Sequence, residues 1–327
     1  VETPRGDHEL NLGGGPRIGL GLAALGRPGY INLGHGADLD AGTEVPAMEM
    51  RAHAVIDAAW SAGVRYFDAA RSYGRAEDFL SSWLERRGLD PASVAVGSKW
   101  GYTYAAGWSV EAEVHEVKKL TLANFERQRD ETLGLLRHYL RVYQIHSATL
   151  QSGVLDDREL LAALAGWRAS TGIRIGLSVS GAQQGETIDR AVELGLFDSV
   201  QATWNVLDPS AGPALRAAHD AGLKVLIKEA VANGRLTPRG SGTAVELLTA
   251  EAARQGERVG ADAVALAAVL AQPWADIVLS GASTIEMLRS NLVALDLRLA
   301  PEFLELLQGL AVPPEDYWAQ RSAMQWN

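Results

Sequence analysis

The chain contains no cysteine. Disulfides, thiolate metal sites, cysteine nucleophiles and iron–sulfur clusters are thereby excluded. Long apolar runs are also missing: the longest, near Ala263–Ala271, is closed by Gln272-Pro273 and is too short to span a bilayer. Positive charge is in deficit, with 30 basic against 40 acidic residues and a formal net charge of −10. That balance argues against a nucleic-acid partner, which needs a basic face. Val1-Glu2-Thr3-Pro4 has no apolar signal core, so a cytoplasmic location is expected. No low-complexity stretch or Ser/Pro-rich linker divides the chain, and residues 1–327 read as one domain. Two common nucleotide motifs are absent as well. There is no G-x-x-x-x-G-K-[ST], and Gly19-Leu20-Gly21 leads to Ala24 where G-x-G-x-x-G needs glycine.

What is present is an alternation of short β-branched runs with longer helical stretches. Strands are expected at Arg17–Leu22, Arg65–Asp68, Val94–Ser98, Arg141–Ile145, Arg174–Ser178, Ser199–Ala202, Lys224–Ile227 and Ile277–Leu279. All are short and mostly apolar, as strands buried on both faces are. Helical patterns between them stop at Gly63, Gly88, Gly195 and Gly222, and Asp157 offers a helix cap. Eight such units predict an α/β fold of the closed (β/α)8 TIM barrel type. Glu9–Leu12 and Arg17–Leu20 flank Gly13-Gly14-Gly15-Pro16, which reads as an N-terminal β-hairpin over the barrel bottom. Long βα loops are expected at Gly26–Val45 and Trp100–Ala112.

A barrel of this kind places its active site at the C-terminal ends of its strands. Those ends carry Asp68, Lys99, His146, Ser178, Gln201, Lys228 and Ser280, a polar set that core packing does not call for. Gly63-Val64-Arg65-Tyr66-Phe67-Asp68-Ala69-Ala70-Arg71-Ser72-Tyr73-Gly74 resembles the first signature of the aldo-keto reductases. Val96-Gly97-Ser98-Lys99 is similar to their catalytic-lysine strand, and Tyr143-Gln144-Ile145-His146 to their catalytic-histidine strand. Ser280-Gly281-Ala282-Ser283 through Asn291-Leu292 resembles their last cofactor-binding segment.

The resemblance implies a catalytic tetrad of Asp68, Tyr73, Lys99 and His146. Carbonyl reduction delivers hydride to carbon and a proton to oxygen. A free phenol, with a pKa of about 10, is a sluggish acid. An adjacent ammonium stabilises the phenolate, a carboxylate holds the ammonium, and an imidazole donor orients the carbonyl. Singly, each residue has a plainer role: Asp68 a cap or ion-pair member, Tyr73 packing, Lys99 solvated surface, His146 hydrogen-bonded core. The remaining histidines, His8 among them, show no metal-ligand spacing, so no metal is expected.

For the cofactor, the resemblance implies NADPH, with NADH open. Ser178 and Gln201 would hold the nicotinamide carboxamide. Val231, Asn233, Gly234 and Leu236 lie on the segment that would wrap the pyrophosphate. Gly281, Ala282, Ser283 and Thr284 would meet the ribose phosphate, and Asn291 the adenine. Three positions depart from the family's habit: Val179 where Asn is common, Lys228 where an aromatic often stacks on the nicotinamide, and Ser283 where a basic residue often pairs the 2′-phosphate. Arg289 could compensate from one helical turn along.

Tyr30, Trp100, Tyr102, Trp204 and Trp318 are the expected walls of the substrate pocket, with Ile31 and Trp326 beside them. Aromatic walls suit a carbonyl compound of sugar or ring size. The expected state is a monomer or small homo-oligomer. Three other readings stay open: an NAD-dependent aldose or secondary-alcohol dehydrogenase, a non-catalytic nucleotide-binding regulatory subunit, and a barrel lyase using Lys99 as a Schiff-base nucleophile.

Overall fold

A computed structural model describes residues 10–39 and 42–327. Its strands are β1 (Ile18–Gly21), β2 (Tyr66–Asp68), β3 (Ala95–Trp100), β4 (Tyr102–Tyr104) and β5 (Glu116–Lys118). They continue as β6 (Leu140–Ala148), β7 (Arg174–Val179), β8 (Ser199–Thr203), β9 (Lys224–Lys228) and β10 (Ile277–Ser280). Eight of them close a parallel barrel in the order β1-β10-β9-β8-β7-β6-β3-β2. Each expected strand is found, and the fold is the (β/α)8 barrel that the alternation predicts. Helices return the chain between strands and cover the barrel with apolar faces, as Leu160, Leu164 and Trp167 do on the helix Arg158–Thr171. Asp157 caps that helix, accepting from Leu160 N at 3.0 Å. Gly88, Gly172 and Gly195 end helices at left-handed φ of 58°, 73° and 62°.

Two local expectations need correction. The N-terminal hairpin does not form among the described residues: Leu10–Leu12 make no strand, and Glu9 lies outside them. Gly13 N instead donates to Asn11 Oδ1 at 2.8 Å, a side-chain turn that competes with strand pairing. Leu10 packs with Tyr66, Ala95, Val142, Leu226 and Ile277 near the starts of the strands, so the segment still closes the barrel bottom. The stretch expected as a loop at Trp100–Ala112 contains β4, which pairs antiparallel with β5. Tyr102-Thr103-Tyr104 suits a strand because β-branched and aromatic side chains fit a pleated surface. Among the described residues no helix is long and apolar enough to cross a membrane.

Candidate active site

The strand ends converge on one cavity of about 840 Å³, lined by Asp68, Tyr73, His146, Gln201 and Lys228 among others. Asp68 is the last residue of β2 and is buried. Tyr73 follows on a short loop that presses on the first βα loop: Arg75 N donates to Gly26 O at 2.7 Å. Glycine is required on both sides of this contact. A Cβ on Gly26 would sit 2.1 Å from Tyr73 O, and one on Gly74 (φ 59°) would sit 2.4 Å from Gly26 O.

Lys99 lies on β3, whose alternation sends its side chain inward, and it is fully buried. Its ammonium pairs with Asp68 Oδ2 and donates to Ala69 O at 3.0 Å and to Tyr73 Oη at 3.4 Å. Asp68 Oδ1 accepts from Gln201 Nε2 at 3.0 Å and from Tyr66 Oη at 3.3 Å. An amine buried this deeply among three acceptors is badly placed for Schiff-base attack.

His146 is set by an irregularity in β6, whose pairing with β7 shifts register between Ile145 and Ala148. Ser147 takes φ 52° there, and its N–H donates to Ser178 Oγ at 2.8 Å. Such a bulge re-aims a side chain, here the imidazole into the cavity. Ser72 Oγ lies 3.4 Å from His146 Nδ1. With Ser72 donating, the ring proton belongs on Nε2. Burial, then Lys99 and Lys228, pushes the His146 pKa well below its ordinary value, so the imidazole is neutral. Burial, then Asp68, pushes the Tyr73 phenol well above its ordinary value. Lys99 therefore does not leave Tyr73 acidic at rest. The phenol is held protonated, beside an ammonium that could stabilise a phenolate.

Other expected residues separate into two groups. Tyr30, Tyr102, Trp318, Val231, Asn233, Gly234, Gly281 and Asn291 line the cavity, as do Ile31 and Trp326. Trp100, Trp204, Ser178, Leu236, Ala282, Ser283 and Thr284 are not brought to its wall. Trp100 is the outward residue after Lys99 and packs on Phe125 at a ring separation of 5.1 Å. Trp204 packs on Trp274 at 5.6 Å. Ser178 holds the bulge at Ser147, Leu236 is core, and Thr284 caps the helix Ile285–Leu292. Arg289 on that helix is exposed and also off the wall.

Several residues of the site were not foreseen. Buried Arg27 stands 5.2 Å from the ring centres of both Tyr30 and Tyr73 and 4.6 Å from that of Trp326. It pairs with Glu116 on β5 at 2.7 Å and donates to Ser72 O at 2.9 Å. Arg321 makes a two-pronged pair with Glu229, the residue after β9, at 2.5 and 3.0 Å. Burial alone would raise Glu229, but Lys228 and Arg321 hold it at about 2. Lys228 donates to Thr203 Oγ1 at 2.8 Å and sits 5.6 Å above the Trp318 ring. Lone charges in irregular loops carry no periodic signal, and an ion pair between residues 92 positions apart carries none either.

The cavity is roofed by crossing loops. Leu33 N donates to Asn233 O, and Asn233 Nδ2 donates to Ile31 O, each at 3.0 Å. Asn327 exchanges backbone bonds with Tyr30 at 3.1 and 3.2 Å. Among the described residues Asn233 keeps a buried Oδ1 with no hydrogen-bond partner, and a Cβ on Gly234, at φ 88°, would press on Leu33 Cβ at 3.0 Å.

Comparison with known proteins agrees with the barrel fold. Residues 17–311 match the model of the Aldo/keto reductase family. A curated Bacillus subtilis protein, the uncharacterized oxidoreductase YqkF, is 23% identical over 283 residues, covering 79% of this chain and 87% of that one. Aldo-keto reductase AKR11C1 from Bacillus halodurans superposes with a TM-score of 0.67 at 19% identity, covering 93% of this chain and 96% of that one. Pseudomonas aeruginosa PA4992, also described as an aldo-keto reductase, gives 0.61 at 18% identity over 89% and 96%.

Proposed function

The chain belongs to the aldo/keto reductase family, and on that premise we propose that it reduces a small-molecule carbonyl, an aldehyde, ketone or sugar, with Tyr73 as the proton donor. It is an NAD(P)H-dependent oxidoreductase. One observation carries the assignment of roles: Tyr73 Oη lies 3.4 Å from the Lys99 ammonium, which Asp68 holds.

The cavity suits an elongated dinucleotide. The Asn233 Oδ1, unpartnered among the described residues, fits a polar ligand that passes beneath the loop crossing. Val231, Asn233 and Gly234 would hold its pyrophosphate, and Gln201 and Lys228 would flank its nicotinamide. When bound, the nicotinamide supplies the hydride. The protein supplies position and the proton. His146 orients the carbonyl oxygen by donating from Nε2. Tyr73 Oη protonates that oxygen, and Lys99 stabilises the phenolate left behind. Asp68 positions Lys99. Tyr30, Tyr102, Trp318 and Trp326 form flat walls that exclude water and take the apolar faces of a ring or sugar. The resemblance favours NADPH over NADH, and the two differ by one phosphate on the adenosine ribose.

Tyr73→Phe tests this reading. The variant is expected to fold and to bind reduced dinucleotide, with carbonyl reduction lower by about a hundredfold or more, the usual contribution of general acid catalysis. Undiminished turnover by the variant would remove Tyr73 from the role.

A further inference from the structure

The stretch of cavity wall that follows β10 is formed by Gly281, Glu286, Met287, Ser290 and Asn291, with Asp262 behind them. Its charged side chains, Glu286 and Asp262, are carboxylates. Asp262 is buried and accepts from Asn291 Nδ2 at 2.7 Å. Glu286 is exposed at the cavity edge.

Ser283, Thr284 and Arg239, which would otherwise hold a phosphate here, are committed elsewhere, and Arg289 is exposed and off this wall. Ser283 is fully buried, and its hydroxyl donates to Asp38 Oδ2 at 2.8 Å. Thr284 Oγ1 accepts from Met287 N at 3.2 Å as a helix cap. Arg239 reaches the cavity from the loop after β9, but its guanidinium is taken. It donates to Leu33 O at 3.1 Å, to Gly34 O at 3.3 Å and to Asp38 Oδ2 at 2.9 Å, and its other terminal nitrogen pairs with Asp38 Oδ1. The start of the helix Ile285–Leu292 is the feature that favours an anion, and Glu286 in its first turn places a carboxylate beside that positive end.

We propose that this wall selects NADH over NADPH: Glu286 repels a 2′-phosphate and accepts a hydrogen bond from a 2′-hydroxyl, while Asp38 withholds Ser283 and Arg239 from any phosphate. The proposal rests on the reading that the cavity holds a nicotinamide dinucleotide with its adenosine ribose at this wall. It reverses the preference that the family resemblance favours. The physics is general: a 2′-phosphate needs a charge-assisted partner, whereas a carboxylate near the ribose suits the free hydroxyl.

The test is a fluorescence titration of the purified protein with NADH and with NADPH at low ionic strength, read as dissociation constants. NADH is expected to bind at least tenfold tighter, and the ratio should shrink as salt screens the carboxylates. Met287→Arg and Glu286→Gln should each shift the ratio toward NADPH, the first by at least tenfold. NADPH binding as tightly as NADH overturns the selectivity and leaves the hydride-transfer reading intact. Binding of neither nucleotide overturns both.

Discussion

Gln201 reaches across the barrel from β8 and donates its Nε2 to Asp68 Oδ1 at 3.0 Å, while Lys99 takes Asp68 Oδ2 from the neighbouring strand. Asp68 thus has both oxygens engaged in the barrel interior. Breaking one side of a buried pair costs about 3–5 kcal/mol, because the other charge stays buried alone. Asp68→Asn is therefore expected to lower unfolding free energy by about 3 kcal/mol. Adding Lys99→Met removes the stranded ammonium, so the double variant should be more stable than Asp68→Asn alone, although inactive. Urea denaturation of the three proteins reads this directly. A double variant no more stable than the single one would mean that the ion pair is not the source of the loss.

A second prediction concerns the C-terminal helix Pro314–Ser322, which covers the cavity beside Lys228. It is fastened by Arg321 on Glu229, by Trp318 Nε1 donating to Asp208 Oδ2 at 3.0 Å, and by Asn205 Nδ2 donating to Tyr317 Oη at 2.9 Å. Arg321→Met removes the two-pronged partner of the Glu229 carboxylate. The helix should loosen, KM for the carbonyl substrate should rise about tenfold, as loss of about 1.4 kcal/mol of binding gives, and protease should cut near residue 313 faster. Unchanged KM and unchanged proteolysis would show that the remaining contacts suffice.

The barrel was legible because its signals are local. Short β-branched runs closed by glycine-ended helices place eight strands, and the polar strand ends place Asp68, Lys99 and His146 on one face. Errors arose where tertiary contact decides. Trp100 reads as a loop aromatic, yet β3 continues through it, and inside-outside alternation turns it toward Phe125. Ser283 reads as a phosphate ligand, and its bond to Asp38, 245 positions away, leaves no signal in the sequence. Arg27 carries no motif, and its place between Tyr30, Tyr73 and Trp326 depends on the tail folding back onto the first loop.

Lys228 gives a pH-dependent binding prediction. Burial pulls its pKa down to about 8, with Arg321 and Lys99 pulling the same way and Glu229 and Asp208 opposing. Below that pH the cavity carries an extra ammonium where the nicotinamide is proposed to lie. The oxidised ring is cationic and the reduced ring is neutral. Oxidised dinucleotide should therefore bind more tightly as pH rises through about 8, by about fivefold for roughly 1 kcal/mol of screened repulsion. Reduced dinucleotide should change less, and Lys228→Gln should remove the difference. Calorimetric titration at pH 7 and pH 9 measures it, and parallel behaviour of the two redox forms would place the ammonium away from the ring.

Stability against acid should depend on His35. Its side chain is fully buried, and among the described residues neither ring nitrogen has a hydrogen-bond partner. Burial lowers its pKa from 6.5 to about 4, with Asp38 opposing and Arg27, Arg51 and Arg239 reinforcing the effect of burial. The unfolded chain therefore binds a proton as pH falls below about 6.5, while the folded protein does not until about pH 4. Stability is full above the unfolded pKa and declines across that window. The total loss is about 3 kcal/mol, because each tenfold difference in proton affinity between the folded and unfolded chain is worth ~1.4 kcal/mol. His146, lowered in the same direction by burial, adds to the slope. His35→Phe removes one of these two groups, so urea midpoints measured at pH 7, 5.5 and 4.5 should fall less steeply than in the parent protein. A variant with the parent's slope would show that His35 is protonated in the folded state at the same pH as in the unfolded one.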